Sequence, residues 1–284
     1  MSYETMLKLH KITDAPIPKI LEILPEFWSA KKFARLGALR RYQLYGDLGT
    51  PEGRRKGGIN SQRLFRLNPE YAKKLGIKVR KTIKKPRLSI ELAEFIGIML
   101  GDGGISNYQI NLTFNAQTES EYTSYVQKLI KKLFLISASI TLRPLDNANR
   151  VVASSKNLVE FLERVGLEKS NKIKNIPRWI LDNRSYSIAC LRGLVDTDGS
   201  FYSYRHKVFN KIYCNFAMSF TNYSKSLLRT VYKILKYLDF TPVIDSKHVY
   251  LHKRKEIDRY FKEIGSSNLK HSQKYKNYLS LKES

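Results

Sequence analysis

The stretch CLRGLVDTDGSF, residues 190–201, joins an apolar helical run to two carboxylates and a glycine. Its leucines and valine recur at the three- and four-residue spacing of one helix face. Asp196 and Asp198 then stand at the expected C-terminus of that helix, where the helix dipole disfavours negative charge. We therefore expect a buried helix that ends in an acid kept for its chemistry. Gly199 follows, and glycine allows a close approach of the backbone.

A weaker copy of this pattern occurs earlier, in FIGIMLGDGG at residues 95–104. Asp102 in the first copy and Asp198 in the second are 96 residues apart, and each is followed by glycine. The segments that follow also recur in the same order: an alternating strand, an amphipathic helix, two short strands and a final helix. An internal repeat of this kind predicts two similar folded halves.

Small residues occupy matching positions in the two helices, Gly97 and Gly101 in the first and Gly193 and Thr197 in the second. Small side chains on one stripe allow two helix backbones to approach closely, so the two terminal carboxylates would meet at the end of the interface. Neighbouring carboxylates do not both ionise readily without a compensating cation, and oxygen ligands with retained waters suit Mg²⁺. Metals held in this way hydrolyse phosphodiesters by activating water and stabilising the leaving oxyanion.

The chain of 284 residues is strongly basic, with 51 Lys and Arg against 25 Asp and Glu and a formal net charge of +26. Such an excess favours a polyanionic partner, because each cation placed on a phosphate releases counterions. We expect that partner to be double-stranded DNA. An anionic membrane is the weaker alternative, and no apolar run reaches the roughly 20 residues that span a bilayer. The two cysteines lie in no metal-binding pattern, and an intracellular location with the DNA is expected.

Residues 1–86 carry half of the charge excess, with 20 Lys and Arg against 7 Asp and Glu. A basic run in this segment predicts a helix, and GDLGTPEGRRKGG, residues 46–58, predicts a break because of its glycines and proline. A short helix is expected next, with Asn68 as its N-cap, Pro69 at its first position and Gly76 past its end. This pattern indicates a small, mostly helical DNA-binding segment.

The sequence LRGLVDTDGS, residues 191–200, resembles a full LAGLIDADG motif, and residues 95–104 resemble a weaker first copy in which Leu100 replaces the first acid. The repeated order of helices and strands is also similar to that of the single-chain LAGLIDADG homing endonucleases. The resemblance implies an α+β fold of two pseudo-symmetric αββαββα halves that form a DNA-binding saddle. We expect residues 87–175 and 176–284 to form these halves, after the basic N-terminal segment.

The resemblance also implies an activity and its site. Members of this family make double-strand breaks at long, imperfectly palindromic DNA targets with Mg²⁺, and a single chain with two motifs acts as a monomer. By this similarity Asp102 and Asp198 are the metal-binding catalytic pair, and Gly101 and Thr197 add backbone carbonyls. A lysine before the last helix of each half lies near the attacking water, and polar residues at the end of the second strand assist. The candidates for these two roles are Lys156 and Lys255, with Lys253 competing, and Gln117 and Asn222.

Solvent-facing strand residues are expected to contact base edges. The candidates are Gln109, Asn111 and Thr113 in the first half and Tyr213, Asn215 and Ser219 in the second, with Arg205, His206 and Lys207 in a loop that reaches the DNA backbone.

Three other functions use the same scaffold. A transcription regulator would bind DNA without cutting it, and an intron RNA maturase would use the positive charge on RNA. The two acids favour the nuclease over the regulator, whereas the charge does not distinguish DNA from RNA. An intein is disfavoured, because the expected splicing residues are absent from the ends of this sequence.

Overall fold

The computed structural model describes residues 3–17, 27–46, 49–169, 174–209 and 211–283, and leaves out the side chains of residues 206, 208, 212–214 and 281–283. The chain divides into two compact units, residues 1–79 and 80–284. Among the described residues, no helix combines the length and apolar character needed to cross a membrane.

The first unit is helical, as expected. Its short helix is confirmed in detail: Asn68 caps it by accepting the Tyr71 N–H at 3.2 Å, and Gly76 follows in the left-handed region with φ of 69°. The helices of this unit are α1 (Tyr3–Thr13), α2 (Trp28–Tyr45), α3 (Pro51–Leu67) and α4 (Pro69–Lys74).

The expected break across residues 46–58 is wrong for most of that stretch, because α3 begins at Pro51 and continues through GRRKGG. Thr50 caps the helix by accepting the Gly53 N–H at 3.1 Å, and Pro51 occupies the first helical position. Proline is favoured there because it has no N–H to leave unpaired. Thr-Pro therefore acts as a start signal, although each interior glycine weakens the helix by about 1 kcal/mol.

The second unit contains two similar halves, each with a four-stranded antiparallel sheet. The strand orders, β1-β2-β4-β3 and β5-β6-β8-β7, are equivalent. The first half consists of α5 (Ile90–Gly101), β1 (Gly103–Ile105), β2 (Gln109–Asn115), α6 (Ser120–Phe134), β3 (Ser139–Arg143), β4 (Ala148–Ser154) and α7 (Lys156–Arg164). The second half consists of α8 (Arg178–Leu181), α9 (Arg184–Asp198), β5 (Gly199–Val208), β6 (Lys211–Thr221), α10 (Lys225–Tyr237), β7 (Val243–Ile244), β8 (His248–Leu251), α11 (Arg254–Glu263) and a further helix α12 (Leu269–Glu283). The predicted αββαββα repeat is confirmed.

Strand alternation sets which face of each sheet is buried. Ile110, Leu112 and Phe114 of β2 are buried under α6, and the intervening residues face solvent. The expectation of a loop at residues 205–207 is wrong, because β5 extends to Val208 and pairs with β6 along its whole length. The polar and basic composition of this stretch suggests a loop, but pairing with β6 supplies its backbone hydrogen bonds and makes it a strand.

Helices α5 and α9 pack against each other with nearly touching backbones. A Cβ atom on Gly97 would overlap the Cys190 carbonyl oxygen, and one on Gly193 would overlap the Glu94 carbonyl oxygen. The second contact is the first one shifted by 96 residues in both partners, so the two helices are related by pseudo-twofold symmetry. The predicted close approach of the two helices is therefore confirmed.

A buried polar cluster fastens the two halves together. Glu94 of α5 accepts hydrogen bonds from Tyr125 at 2.7 Å and Ser267 at 2.6 Å, and lies 3.0 Å from the Arg192 guanidinium of α9. Glu94 is only 4% exposed, so its charge requires these partners. Asp196, also buried, accepts from the Ser266 hydroxyl and the Ser267 N–H.

We predict that Gly193→Ala destabilises the unit of residues 80–284 by about 1–3 kcal/mol, because the added methyl group forces the two helices apart. The measurement is urea unfolding followed by Trp179 fluorescence in a Trp28→Phe background. The matched control is Gly57→Ala in α3, where nothing lies within 4 Å of the added atom. Equal unfolding midpoints for the two variants would contradict the close helix contact.

Candidate active site

The two acids of the repeat lie at equivalent ends of the packed helices. Asp102 is the C-cap of α5, and Asp198 is the last residue of α9. Both line one depression of the second unit. Its other lining residues come from the helix ends, the segment before α8 and the end of β6: Gly101, Gly103, Lys174, Thr221, Asn222, Tyr223 and Ser224.

Asp102 is electrostatically strained. Burial raises its pKa to about 7, and the neighbouring carboxylates of Asp198 and Glu119 also raise it. Lys174 and Lys270 lower the pKa but do not offset the burial. At neutral pH this carboxyl group is therefore poised between its two protonation states, and a nearby cation would favour the ionised one.

Asp198 has a better-satisfied environment. Burial raises its pKa, but a hydrogen bond from Asn222 and the charge of Lys174 lower it. The Asn222 side-chain N–H donates to the Asp198 carboxylate at 2.7 Å. The side-chain oxygen Oδ1 of Asn222 also accepts a hydrogen bond from the Ser224 N–H at 2.8 Å, and this bond fixes the orientation of the side-chain amide. Asn222 therefore lies where the sequence places a helper of the second acid.

Lys174 is the cation among the described residues that line this depression. Its ammonium donates to the carbonyl oxygens of Leu100 at 2.7 Å and Gly101 at 2.9 Å. These carbonyls belong to the last turn of α5, where acceptors have no partner within the helix and the helix dipole is negative. Lys174 thus compensates a helix end that also carries Asp102.

The donor set fits a hard divalent cation. Burial raises the pKa of both carboxyl groups, and the charge of Asp198 raises that of Asp102 further, so a bound metal would favour the ionised form of each. No group of three or more His, Cys, Asp or Glu residues that could hold a metal occurs in the described part of the chain. Further ligands would therefore be carbonyl, water or phosphate oxygens, a set that suits Mg²⁺.

Gly101 and Thr197 face each other across the helix interface. A Cβ atom on Gly101 would overlap the Thr197 hydroxyl, which itself lies 3.0 Å from the Gly193 carbonyl and 2.9 Å from the Leu194 carbonyl. The Gly101 carbonyl, a predicted metal ligand, already accepts the hydrogen bond from Lys174.

Like Thr197, three other predicted residues are not among those that line the depression. The Lys156 ammonium lies 5.7 Å from the centre of the Tyr108 ring and 4.0 Å from a Glu160 oxygen. Lys156 follows the end of β4, which pairs with Gln109 at the start of β2. Asp102 precedes Gly103, which pairs with Leu112 farther along β2, so the two residues lie beside different parts of this strand. Lys255 is exposed in the first turn of α11, and exposed Gln117 lies in a separate depression beside α12.

The solvent-facing sides of the two sheets differ in chemistry. The first presents amides, hydroxyls and arginine, including Gln109, Asn111 and Thr113, the last paired with Arg150. The second presents tyrosines and histidines, with His248, Tyr250 and His252 stacked at 5.4 and 5.2 Å between ring centres. Asn215 pairs with Tyr204 and the buried Ser219 with Tyr250, whereas the Tyr213 side chain lies outside the described residues.

Sequence reasoning missed Lys174, Glu119 and Asn268. Glu119 accepts from the Asn115 N–H at 3.0 Å, from the Asn268 amide at 3.0 Å and from the Lys270 ammonium at 3.3 Å. Asn268 also donates to the Asp196 carbonyl at 3.0 Å. The repeat alignment is clear up to the glycines that end α7 and α11, and Lys174 and Asn268 lie beyond them. The one signal in the sequence was that both segments follow the last helix of a half, which suggests that they contact the site in a similar way.

A comparison with protein-family models supports the resemblance to the LAGLIDADG motif. Residues 185–269 match a family model described as a LAGLIDADG-like domain. A comparison with curated protein sequences finds no match.

Several solved structures are similar in fold. The structure of I-DmoI in complex with DNA and Mn is 21% identical, with a TM-score of 0.44 over 63% of this chain and 98% of that one. I-SmaMI bound to uncleaved DNA with calcium ions is 12% identical, with a TM-score of 0.48 over 68% and 90% of the two chains. The N-terminal LAGLIDADG domain of DUF199/WhiA is 16% identical, with a TM-score of 0.44 over 64% and 85%. At these identities and TM-scores, the similarities assign no residue roles to this chain. The resemblance of residues 191–200 to the LAGLIDADG motif is nevertheless confirmed by the family model, whose match over residues 185–269 includes most of α9 and Asp198.

Proposed function

We propose that this protein is a site-specific DNA endonuclease that makes double-strand breaks by metal-assisted hydrolysis, with Mg²⁺ as the physiological metal. One observation carries the proposal: Asp102 and Asp198, at equivalent ends of two packed helices, share one depression with Lys174 and Asn222. A carboxylate pair buried without function would be costly to the fold. Each half of the repeat contributes one acid to the site, as expected for an enzyme that cuts both strands of DNA.

The proposed chemistry uses groups of both halves. Asp102 and Asp198 would hold the metal, which when bound lowers the pKa of water and neutralises developing charge on phosphate oxygens. Asn222 keeps the Asp198 carboxylate oriented through its 2.7 Å hydrogen bond. Lys174 supplies a positive charge beside the phosphate that approaches the two acids.

DNA binding is supported by the net charge and by the solvent-facing sheets. The polar first sheet offers hydrogen-bond donors and acceptors to base edges, and the Tyr/His face of the second offers flat rings and apolar contacts. We further infer that residues 1–86 form an accessory DNA-binding segment, residues 87–175 the first half and residues 176–284 the second. A single chain with both halves has no need of a second copy, so we propose a monomer that acts wherever its DNA lies.

We predict that Asp102→Asn and Asp198→Asn each slow DNA cleavage by more than about a hundredfold, because each removes the charge of a metal ligand. The substrate is a plasmid that carries a target selected from a random duplex library by the full chain in Ca²⁺. Cleavage is then measured in Mg²⁺, and excess chelator is expected to stop it.

The control is Asp182→Asn, an exposed acid at the end of α8, which is expected to cut at the wild-type rate. Affinity for the target in Ca²⁺ distinguishes a lost site from a lost fold. Wild-type protein that binds its target tightly but never cuts it would be a DNA-binding regulator instead. A strong preference for a structured intron RNA over the duplex would favour a maturase.

We predict that the double variants Arg40→Gln/Arg41→Gln in α2 and Arg55→Gln/Lys56→Gln in α3 bind DNA more weakly and with a shallower salt dependence. No residue of α2 or α3 is buried, so these cations are available to phosphates. Each lost contact should reduce the slope of log K against log salt by about 0.9.

The control is Lys128→Gln/Lys131→Gln, an equal charge change on α6, which covers the buried face of the first sheet. Filter binding or fluorescence anisotropy over a salt series measures the slope. Slopes that match the wild type in both N-terminal variants would refute the accessory role.

A further inference from the structure

The outer faces of the two sheets, meaning their solvent-facing sides, can be compared position by position. At the end of β2 the Ala116 N–H donates to the Asn147 carbonyl, and at the end of β6 the Asn222 N–H donates to the Lys247 carbonyl. These matching backbone hydrogen bonds align β2 with β6 and β4 with β8. Positions close to these strand ends therefore have known counterparts in the two halves.

The first outer face presents a guanidinium at one such position. Counting three residues from the hydrogen bond at Ala116, Thr113 of β2 pairs with Arg150 of β4. Val151, the next residue of β4, is buried, so strand alternation directs Arg150 to the outer face. Within the described part of the chain, Arg150 makes no hydrogen bond or ion pair, whereas Arg143 on the neighbouring strand is paired with Asp146 at 2.6 Å. Its N–H donors are therefore available to a ligand.

The second outer face presents an aromatic ring at the equivalent position. The matching pair there is Ser219 of β6 with Tyr250 of β8. Tyr250 lies in a row of stacked rings, with ring centres 5.4 Å from His248 and 5.2 Å from His252. Along β8 and the residues of β6 that pair with it, the described side chains of this face include no lysine or arginine. A cation in the first half is thus replaced by a ring in the second.

A second exchange lies two residues farther back along the same strands. Asn111 of β2 corresponds to Ala217 of β6, so a side-chain amide in the first half is replaced by a methyl group in the second. The Tyr250 hydroxyl is engaged by the Asp245 side chain, which leaves the ring carbons of Tyr250 for a ligand. The first outer face therefore offers hydrogen-bond donors where the second offers mainly apolar and aromatic surface.

These two kinds of surface suit different base edges of the major groove. Guanine presents two acceptors, N7 and O6, which match the paired donors of an arginine, and adenine presents an acceptor and a donor that match a side-chain amide. Thymine alone presents a methyl group, which an apolar or aromatic side chain contacts favourably. An aromatic ring offers nothing to the two acceptors of guanine.

We propose that the DNA target is chemically asymmetric: the half bound by the first sheet carries a guanine contacted by Arg150, and the half bound by the second carries thymines whose methyl groups contact the Tyr250 ring stack. This inference rests on the proposed DNA-binding function and not on cleavage. It identifies the exchange of Arg150 for Tyr250 as a source of the imperfect symmetry of the target, which two similar halves alone would not explain.

The experiment changes the DNA rather than the protein. The full chain selects a target from a random duplex library in Ca²⁺, and fluorescence anisotropy then measures its affinity for duplexes with single base analogues. Deoxyuridine in place of thymidine removes only the methyl group, and each contacted methyl should cost about fourfold in affinity, in one half of the target only. A 7-deazaguanine in the other half removes only the N7 acceptor and should cost about fivefold.

Two protein variants assign these effects to residues. Arg150→Gln should abolish the 7-deazaguanine effect and leave the deoxyuridine effect, whereas Tyr250→Ser should do the reverse. Tyr250→Phe keeps the ring and should keep the deoxyuridine effect. The control is Arg178→Gln, an exposed arginine of α8 outside both sheets, which should leave both effects unchanged. Unfolding midpoints confirm that each variant is folded.

The outcomes separate this inference from the proposed function. Equal sensitivity of both halves to deoxyuridine, or a sensitive guanine in the same half as the sensitive thymines, overturns the asymmetry. Analogue effects that persist in Arg150→Gln and Tyr250→Ser overturn the assignment to these residues. Selection that yields no preferred duplex overturns site-specific DNA binding itself. Because the readout is affinity, a failure to cut the selected duplex overturns the nuclease activity alone.

Discussion

The contact between α5 and α9 is the constraint on which the rest of the second unit depends. Gly97 lies against the Cys190 carbonyl and Gly193 against the Glu94 carbonyl, so no side chain separates the two backbones. Because the same contact occurs on both sides of a pseudo-twofold axis, the ends of the two helices are brought to one place. Asp102 and Asp198 share a depression as a consequence of this packing. The first strand of each sheet directly follows one of the two helices, so the packing also positions the sheets.

The close packing buries charged side chains, and these side chains find their partners within the buried polar cluster. Glu94 and Arg192 form an ion pair across the interface, and Ser267 adds a hydrogen bond from the segment before α12. A buried pair of this kind contributes little net stability but disfavours other alignments of the two helices. Burial raises the pKa of Asp196 to about 7, and its hydrogen bonds from Ser266 and Ser267 act in the opposite direction. The first copy has Leu100 there and needs no such partner.

The repeat allowed the fold of the second unit to be predicted, because periodicity and small residues at matching positions report packing directly. Helix ends with strong caps, such as Asn68 with Pro69, were also predictable. Two local errors arose where composition misleads. The glycines of GRRKGG suggested a break that Thr50 and Pro51 override, and the charged residues 205–207 suggested a loop where pairing with β6 makes a strand. For the site, the two acids and Asn222 lie together, whereas Lys174 was missed because its segment lies beyond the repeat alignment and only tertiary folding brings it to α5.

The charge distribution of the site explains how an acidic centre can act within a chain of net charge +26. Two carboxylates and two helix C-termini, each with a negative dipole end, meet in one depression. Among the described residues that line it, Lys174 supplies the positive charge, and Lys270 also acts on Asp102. Two neighbouring carboxylates would disfavour the approach of a phosphate that carries no cation. A phosphate accompanied by a divalent cation is attracted, because the cation neutralises both groups at once. Under the proposed function, the basic surface would raise the local concentration of DNA, and the acids would favour its backbone when a metal accompanies it. This coupling would make metal and DNA binding mutually dependent within the same site.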